Sequence, residues 1–361
     1  MRSHEEEICP RCGSLNIAWI IWGRPAYTEE LRRDLEDGKV ELGGCFIAPG
    51  APQYHCNDCG AEFGEVNFPW PFEDKRLKSI VYGAAVGDAL GVPFEGRARG
   101  TFECTHMVSG YRQGMPAGTF SDDTSLMLAT CDSIKAYGGA IQLKDMAARF
   151  HDWLYEGAYT PDGMAFGIGR TCATAIEQGY GCDSEMSNGN GSLMRIAPLA
   201  LTAADDSEIT AVSAITHAHP VSTKSCVAFI GILRDVLQGT NLPTAIKRNA
   251  PHDERFAFLN NIEEKTRDEI RSSGYVLHTL EAALWCNLMT DNFAECVQLA
   301  VNLGGDTDTT ASVAGALAGA RYGFYSIPER WIESLRAKDV IDSCLFDIPT
   351  QNADAQWMRR Q

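Results

Sequence analysis

The sequence predicts an all-α protein that carries a small, β-rich domain at its N-terminus. Most segments beyond about residue 75 place apolar residues three and four positions apart, which is the spacing of amphipathic helices. Earlier segments alternate apolar and polar residues, and two CxxCG motifs occur among them. The chain has 361 residues and a hydrophobic content of 45%, which is enough for one large core and a smaller domain.

The N-terminal part, residues 1–70, is expected to form a zinc-ribbon-like domain. The segment IAWIIW around Trp19 and Trp22 predicts a strand, TEELRRDLEDG predicts a short charged helix, and KVELGG predicts a second strand. Residues 67–74 contain two prolines and three aromatic residues, a composition that disfavours a helix. We place the domain boundary near Phe72.

Four cysteines in this part, Cys9, Cys12, Cys56 and Cys59, are spaced for a metal site. Each CxxC pair is followed by a glycine, as in the tight turns that bring two thiolates to one ion. Four protein thiolates make a closed site, so we expect one structural zinc ion, with a rubredoxin-like iron site as the alternative. The chain has 13 cysteines, an odd number, which favours reduced thiols over disulfides.

The charge of the chain restricts its partners. The net charge is −17 at pH 7, which opposes binding to nucleic acids and to anionic membranes. Residues 1–65 hold six Lys and Arg against twelve Asp and Glu, so the ribbon is expected to contact proteins. The start MRSHEEEICP does not resemble a signal peptide, and no apolar run of about 18 residues occurs. We expect a cytoplasmic protein without nucleic-acid or membrane partners.

Residues 76–346 are expected to form the helical domain. No alternating βα rhythm is present, so a parallel sheet is not expected. In the first helical segment Gly83, Gly87 and Gly91 recur every four residues, which favours close packing of one helix face against another helix. The segments with helical periodicity are LKSIVYGAAVGDALG, SLMLATCDSIKAY, LKDMAARFHDWLY, EITAVSAITHAH, CVAFIGILRDVLQ, VLHTLEAALWCNL, FAECVQLAVNLG and TASVAGALAGARYG.

Two acidic clusters each begin a predicted helix. SDDT places Ser121 at the N-cap with two aspartates in the first turn, and GGDTDTT, residues 304–310, offers two more aspartates after a pair of glycines. Ordinary capping accounts for one or two of these residues, so the other carboxylates are surplus. If the two helix starts face one another, four carboxylates converge and need cations between them. All-oxygen ligands favour Mg²⁺, Mn²⁺ or Ca²⁺.

Three further segments offer groups for a cleft. Glu95 in PFEG lies just past a predicted helix end, and Asp88 lies within GDALG. NGNGSLMR places two glycines before a helical segment, where free amides can hold a diphosphate. THAHP offers His217 and His219, and a hydrogen-bonded core residue is the ordinary alternative for each.

The order GDALG, PFEG, SDDT, GNGSLMR, THAHP and GGDTDTT resembles the ADP-ribosylglycohydrolase family, which includes the dinitrogenase reductase activating glycohydrolases. The resemblance covers about residues 76–330. It implies an all-helical bundle with a binuclear Mg²⁺ or Mn²⁺ centre. It also implies a hydrolase that removes ADP-ribose from a protein side chain, commonly arginine, so the expected partner is an ADP-ribosylated protein.

The resemblance also implies roles for individual residues. The implied Mg²⁺ or Mn²⁺ ligands are Ser121, Asp122, Asp123, Asp306, Asp308 and Thr309. The implied ADP-ribose-binding residues are Glu95, Gly189, Asn190, Gly191, Ser192 and His217. Catalysis is expected from Glu95, Asp123 and Asp308, with Glu95 or Asp123 as the general base.

One loop departs from the family pattern. Many members with arginine specificity have Asp-Ile-Gly-Asn where this chain has Gly167-Ile168-Gly169-Arg170, so a carboxylate often assigned to catalysis is missing. Asp162, five residues earlier, is a less favoured substitute. The missing carboxylate keeps an alternative open: an immunity-type or ADP-ribose-binding protein that neutralises an ADP-ribosyltransferase toxin by direct binding through the N-terminal extension.

Overall fold

The computed structural model describes residues 8–22, 29–43, 51–64, 75–110 and 115–348. The chain divides into two compact units, residues 1–73 and residues 74–361. The described part is mainly helical with one small sheet, which confirms the predicted fold class. The proline-rich segment at 67–74, with the proposed boundary near Phe72, lies outside the described residues.

The first unit contains a four-stranded sheet with the strand order β2-β1-β3-β4. Strand β1 is parallel to β2 and antiparallel to β3, and β3 is antiparallel to β4. The predicted strand around Trp19, the charged helix and the strand in KVELGG are confirmed. The elements are β1 (Ile17–Ile21), α1 (Glu29–Glu36), β2 (Val40–Leu42), β3 (Tyr54–Cys56) and β4 (Glu62–Phe63).

The second unit is built from α-helices joined by short 3₁₀ segments. Two of its helices, Arg76–Gly91 and Thr307–Tyr322, bury nearly every face, which explains why their residues are apolar or small all round instead of amphipathic. The helices are α2 (Arg76–Gly91), α3 (Asp122–Ala136), α4 (Leu143–Glu156), α5 (Arg170–Gln178), α6 (Leu193–Ile196), α7 (Asp206–Ala214), α8 (Pro220–Leu237), α9 (Leu242–Asn249), α10 (Val276–Leu288), α11 (Phe293–Val301), α12 (Thr307–Tyr322), α13 (Glu329–Ser334) and α14 (Lys338–Cys344). None of the described helices is long and apolar enough to span a membrane.

Helices α2 and α12 pack backbone against backbone at the centre of this unit. A Cβ atom on Gly83 would lie 2.3 Å from the carbonyl oxygen of Gly315, and one on Gly87 would lie 2.1 Å from that of Ala311. Side chains at these positions would force the helices apart, so the packing role predicted for the glycines is confirmed. Because of this contact, the C-terminal end of α2 lies beside the start of α12, where Gly91 meets the backbone of Asp308.

Candidate active site

The starts of α3 and α12 face each other inside the helical unit. The hydroxyl of Thr309 donates a hydrogen bond to Asp123 Oδ1 over 3.2 Å. Asp123 is 1% exposed, and Asp308 and Thr309 are also buried. The two acidic clusters therefore meet, as the convergence hypothesis requires.

The start of α3 contains both an N-cap residue and a carboxylate that capping does not require. Ser121 is the N-cap, and its hydroxyl accepts a hydrogen bond from the amide of Asp123 at 3.2 Å. Capping thus accounts for Ser121, in agreement with the ordinary interpretation of this segment. It does not account for the carboxylate of Asp123, because its Oδ2 atom is buried without a hydrogen-bond partner. An unpartnered buried carboxylate oxygen is an open position for a cation.

Asp88 holds the start of α3 from the neighbouring helix α2. Its carboxylate accepts hydrogen bonds from the amides of Ser121 and Thr124, each at 3.0 Å, and from the Thr124 hydroxyl at 2.6 Å. Asp88 is fully buried, and its carboxylate lies within 4.8 Å of those of Asp123 and Asp308. The sequence analysis noted Asp88 in GDALG as a candidate for a cleft but assigned it no role. The only signal was an acidic residue among small ones on a buried helix.

The start of α12 is shaped by two glycines and by contacts from distant segments. Gly304 and Gly305 have φ angles of +76° and +72°, which residues with a side chain rarely adopt. The turn they form brings the amide of Asp306 to the carbonyl oxygen of Ser272 at 2.7 Å. Asn190 donates from Nδ2 to Asp306 Oδ2 at 2.8 Å, which ties the glycine-rich loop to the acidic cluster.

Burial and mutual repulsion dominate the electrostatics of this cluster. Burial, followed by the charge of Asp88, raises the pKa values of Asp122 and Asp123 well above their ordinary range. Burial, followed by the charge of Asp306, also raises the pKa of Asp308 well above its ordinary range. Burial raises the pKa of Asp88 to about 6. Such a group of carboxylates ionises together only when cations neutralise it, and its donors are all oxygens. The residues present therefore fit Mg²⁺ or Mn²⁺.

A cavity of about 670 Å³ opens beside the acidic cluster. Its volume is within the range of small-molecule and cofactor sites. Of the residues that the sequence analysis selected, those lining it are Glu95, Asp122, Asp123, Gly189, Asn190, Gly191, His217, Asp306, Asp308 and Thr309. Further lining residues that the sequence analysis did not select include Arg170, Cys172, Met194, Gly274 and Tyr275. The cavity thus joins the two acidic clusters to the glycine-rich loop and to THAHP.

Two of the selected hydroxyl residues lie behind the cavity and are not in its lining. Ser192 is fully buried, and its Oγ atom lies 2.9 Å from that of Ser213. Ser121 caps α3 and is 1% exposed.

The loop that departs from the family pattern approaches the cluster closely. Gly167 has a φ angle of +89°, and a Cβ atom there would lie 2.3 Å from Asp122 Oδ1. Asp162 is paired with Arg336, with its Oδ2 2.6 Å from the guanidinium, and does not line the described cavity. The geometry therefore offers no support for Asp162 as a substitute acid.

The four N-terminal cysteines come together in the first unit. The Sγ atoms of Cys9 and Cys59 are 3.6 Å apart, as are those of Cys12 and Cys56. All four sulfurs lie within 4.8 Å of one another. A tetrahedral zinc site with Zn–S bonds of about 2.3 Å has sulfur–sulfur distances of about 3.8 Å, so the cluster has the size of such a site.

Comparison with known proteins places these features in a family context. The model of the ADP-ribosylglycohydrolase family matches residues 71–357. The chain is 34% identical over 288 residues to the ADP-ribosylarginine hydrolase Tri1 of Serratia proteamaculans (strain 568), covering 74% of this chain and 77% of that protein. It is 31% identical over 291 residues to the ADP-ribosyl-(dinitrogen reductase) glycohydrolase of Rhodospirillum rubrum. That match covers 74% of this chain and 92% of that protein. A solved structure described as an ADP-ribosylglycohydrolase-related protein complex has a TM-score of 0.63 and 32% identity, and the match covers 75% of this chain and 95% of that one.

Proposed function

Since this chain belongs to the ADP-ribosylglycohydrolase family, a family of hydrolytic enzymes, we propose that it removes ADP-ribose from arginine side chains of modified proteins. The observation that carries the proposal is the contact between Thr309 and Asp123 at the wall of a nucleotide-sized cavity. This contact unites both acidic clusters beside a glycine-rich loop. The arginine linkage is supported by the relatives named above, which include an ADP-ribosylarginine hydrolase.

The acidic cluster would hold two Mg²⁺ or Mn²⁺ ions. The proposed ligands are Ser121, Asp122, Asp123, Asp306, Asp308 and Thr309. When bound, such ions orient ribose hydroxyls and acidify water. Asp88 joins this proposal as a supporting residue, because its carboxylate fixes the backbone that carries Asp123.

The remaining residues of the cavity are proposed to bind and position ADP-ribose. The amides of Gly189 and Gly191 hold the diphosphate, and Asn190 keeps their loop against Asp306. In the reaction, water adds to the anomeric carbon of the ribose while the bond to the side-chain nitrogen breaks. Glu95 or Asp123 takes the proton from water, and a proton returns to the departing nitrogen. The carboxylates of the cavity also stabilise the positive charge that develops on the ribose.

Two carboxylates of the cavity lining that lie outside the proposed metal ligands, Glu95 and Glu185, favour a guanidinium leaving group. They attract a side chain that remains cationic, whereas a serine hydroxyl carries no charge to attract. Mass spectrometry on ADP-ribosyl-arginine and ADP-ribosyl-serine peptides with added Mg²⁺ or Mn²⁺ tests the proposal. Faster release from arginine supports it, and release from serine alone contradicts it.

A second candidate function rests on Gly167, which supplies no carboxylate beside Asp122. In this candidate the chain binds ADP-ribose and neutralises an ADP-ribosyltransferase toxin through its N-terminal extension. Release of ADP-ribose from modified protein, measured with and without residues 1–70, separates the two. Turnover that survives the truncation favours the hydrolase, whereas toxin inhibition without turnover favours the second candidate.

We also propose that residues 1–70 form a zinc-ribbon-like domain and residues 76–346 the ADP-ribosylglycohydrolase domain. One zinc ion would be held by Cys9, Cys12, Cys56 and Cys59. A site closed by four thiolates leaves no position for substrate, so the zinc would be structural.

A further inference from the structure

Arg195 is a fully buried cation in α6 that makes no ion pair with any described residue, and its Nε and Nη1 atoms have no hydrogen-bond partner. Its guanidinium lies 4.5 Å from the centre of the Phe150 ring, which compensates part of the cost of burial. Its Nη2 atom donates to the carbonyl oxygen of Val212 at 3.1 Å and to the Thr216 hydroxyl at 3.0 Å. A buried charge of this kind needs an explanation beyond packing.

The hydroxyl of Thr216 connects this cation to a histidine of the cavity. Its Oγ1 atom lies 2.9 Å from Nδ1 of His217. A guanidinium only donates hydrogen bonds, so Oγ1 accepts from Arg195 and its own hydrogen is available for Nδ1. The Cys172 sulfur is a competing partner of this hydroxyl, but burial raises the pKa of Cys172 to about 12. It therefore remains a thiol, which is a weak acceptor.

The backbone on both sides of His217 is fixed. Its amide donates to the carbonyl oxygen of Ser213 at 2.9 Å, and its carbonyl oxygen accepts from the Ser213 hydroxyl at 3.2 Å. Cys182 forms an isolated β-bridge with it. The backbone that carries the ring is therefore held in place, and in the structure Nδ1 of the ring meets the Thr216 hydroxyl.

The other ring nitrogen of His217 faces the cavity. A Cβ atom on Gly189 would lie 3.3 Å from Nε2, and no hydrogen bond to Nε2 is present among the described residues. Burial and then the charge of Arg195 lower the pKa of His217 to about 3, so the ring is neutral. A neutral imidazole carries one proton, and the partner of Nδ1 decides which nitrogen holds it.

We propose that Thr216, itself held by Arg195, fixes His217 in the tautomer with the proton on Nε2, so that the ring donates a hydrogen bond to an anionic oxygen of the bound nucleotide. Thr216 and Arg195 are positioning residues, since neither lines the described cavity. The identity of the nucleotide as ADP-ribose rests on the proposed function, whereas the tautomer does not. The opposite tautomer would present a lone pair at Nε2 to phosphate oxygens, and these would repel it.

The tautomer is measurable in the ligand-free protein by long-range ¹H–¹⁵N correlation spectra of histidine-labelled full-length chain, with His217→Gln assigning the signal. We expect a protonated Nε2 and an unprotonated Nδ1 at pH 7. Thr216→Val removes the hydroxyl at nearly constant volume and should give a mixture of tautomers, whereas Thr216→Ser should retain the wild-type state. A proton on Nδ1 in the wild type, or an unchanged tautomer in Thr216→Val, overturns the proposal.

Calorimetric titration with ADP-ribose separates this proposal from the proposed function. Loss of one oriented hydrogen bond should weaken binding to Thr216→Val by about three- to tenfold, and binding to Thr216→Ser should stay within about twofold of the wild type. Absence of ADP-ribose binding in the wild type, with the expected tautomer present, contradicts the proposed function alone. If Thr216→Val does not fold, the wild-type spectrum still decides the tautomer.

Discussion

The hydroxyl of Thr309 and the carboxylate of Asp123 lie 3.2 Å apart, although 186 positions separate them in the chain. Each belongs to the first turn of its own helix, so the contact brings two acidic helix starts together. Asp123 Oδ1 accepts this hydrogen bond while Oδ2 remains without a partner. The consequences of that arrangement can be tested by substitution, by pH and by metal removal.

Asp308→Asn should separate stability from activity. Because Asp308 is repelled by neighbouring carboxylates, the neutral amide should leave the metal-free protein as stable as the wild type or more so. The same change should remove most of the rise in melting temperature on adding Mg²⁺ and lower turnover by more than about 100-fold. Scanning calorimetry and peptide assays measure both effects. Asp291→Asn, at an exposed position, is the control and should change neither.

Asp88→Asn should weaken the support of α3. An amide retains one acceptor oxygen, but its NH₂ group would face backbone amides that now donate to the carboxylate. We expect a loss of about 2–3 kcal/mol in the free energy of unfolding and about 10- to 100-fold weaker metal binding. Urea denaturation and Mn²⁺ titration measure these quantities. Exposed Asp339→Asn is the matched control, and an Asp88→Asn protein as stable as that control would refute the supporting role.

His217 should make the protein less stable in mild acid. The pKa of His217 is 6.5 in the unfolded chain and is lowered to about 3 in the folded protein. Between these values the unfolded chain binds a proton at this residue and the folded protein does not. Stability should therefore fall as the pH drops below about 6.5, by about 2 kcal/mol at pH 5 relative to pH 8. Comparing the pH dependence of unfolding for wild type and His217→Gln isolates this contribution. If the free energy of unfolding depends on pH in the same way in both proteins, the pKa of His217 is not lowered in the folded state.

Gly167→Ala should impair activity more than its backbone strain explains. A methyl group there would collide with Asp122 Oδ1, whereas Gly163, also at positive φ, has open space around its Cβ position. Both alanine variants should lose about 1–2 kcal/mol of stability from the left-handed backbone. Only Gly167→Ala should lose turnover, by about ten- to 100-fold, because Asp122 is displaced. Equal turnover of the two variants would exclude that contact as a cause.

Cys56→Ser should abolish zinc binding by the first unit. Its sulfur is buried in the four-cysteine cluster, and a hydroxyl is a poor zinc ligand. Elemental analysis should find one zinc ion per chain in the wild type and in Cys182→Ser, and none in Cys56→Ser. Iron in place of zinc in the wild type would contradict the choice of metal.

The sequence was sufficient to predict the features that depend on local patterns. The Ser121 cap, the close packing of the glycine face of α2 against another helix and the two CxxCG turns each follow from spacing within a few residues. Sequence also suggested that the two acidic clusters meet, because their similar compositions are hard to explain separately.

Features that depend on the path of the whole chain could not be predicted. Asp88 looked like one acid in a small-residue helix, and its three hydrogen-bond donors become visible only when α2 lies beside α3. Ser272, which accepts from the amide of Asp306, lies in a charged segment without clear periodicity. Arg195 would ordinarily be assigned to the surface, yet it is fully buried.

Calorimetric titration of Mn²⁺ into the folded, metal-free chain tests the central claim most directly. If the starts of α3 and α12 form one binuclear site, about two ions should bind per chain, and Asp308→Asn should abolish or strongly weaken their uptake. Folded wild-type protein that takes up no Mn²⁺ or Mg²⁺ would contradict the account.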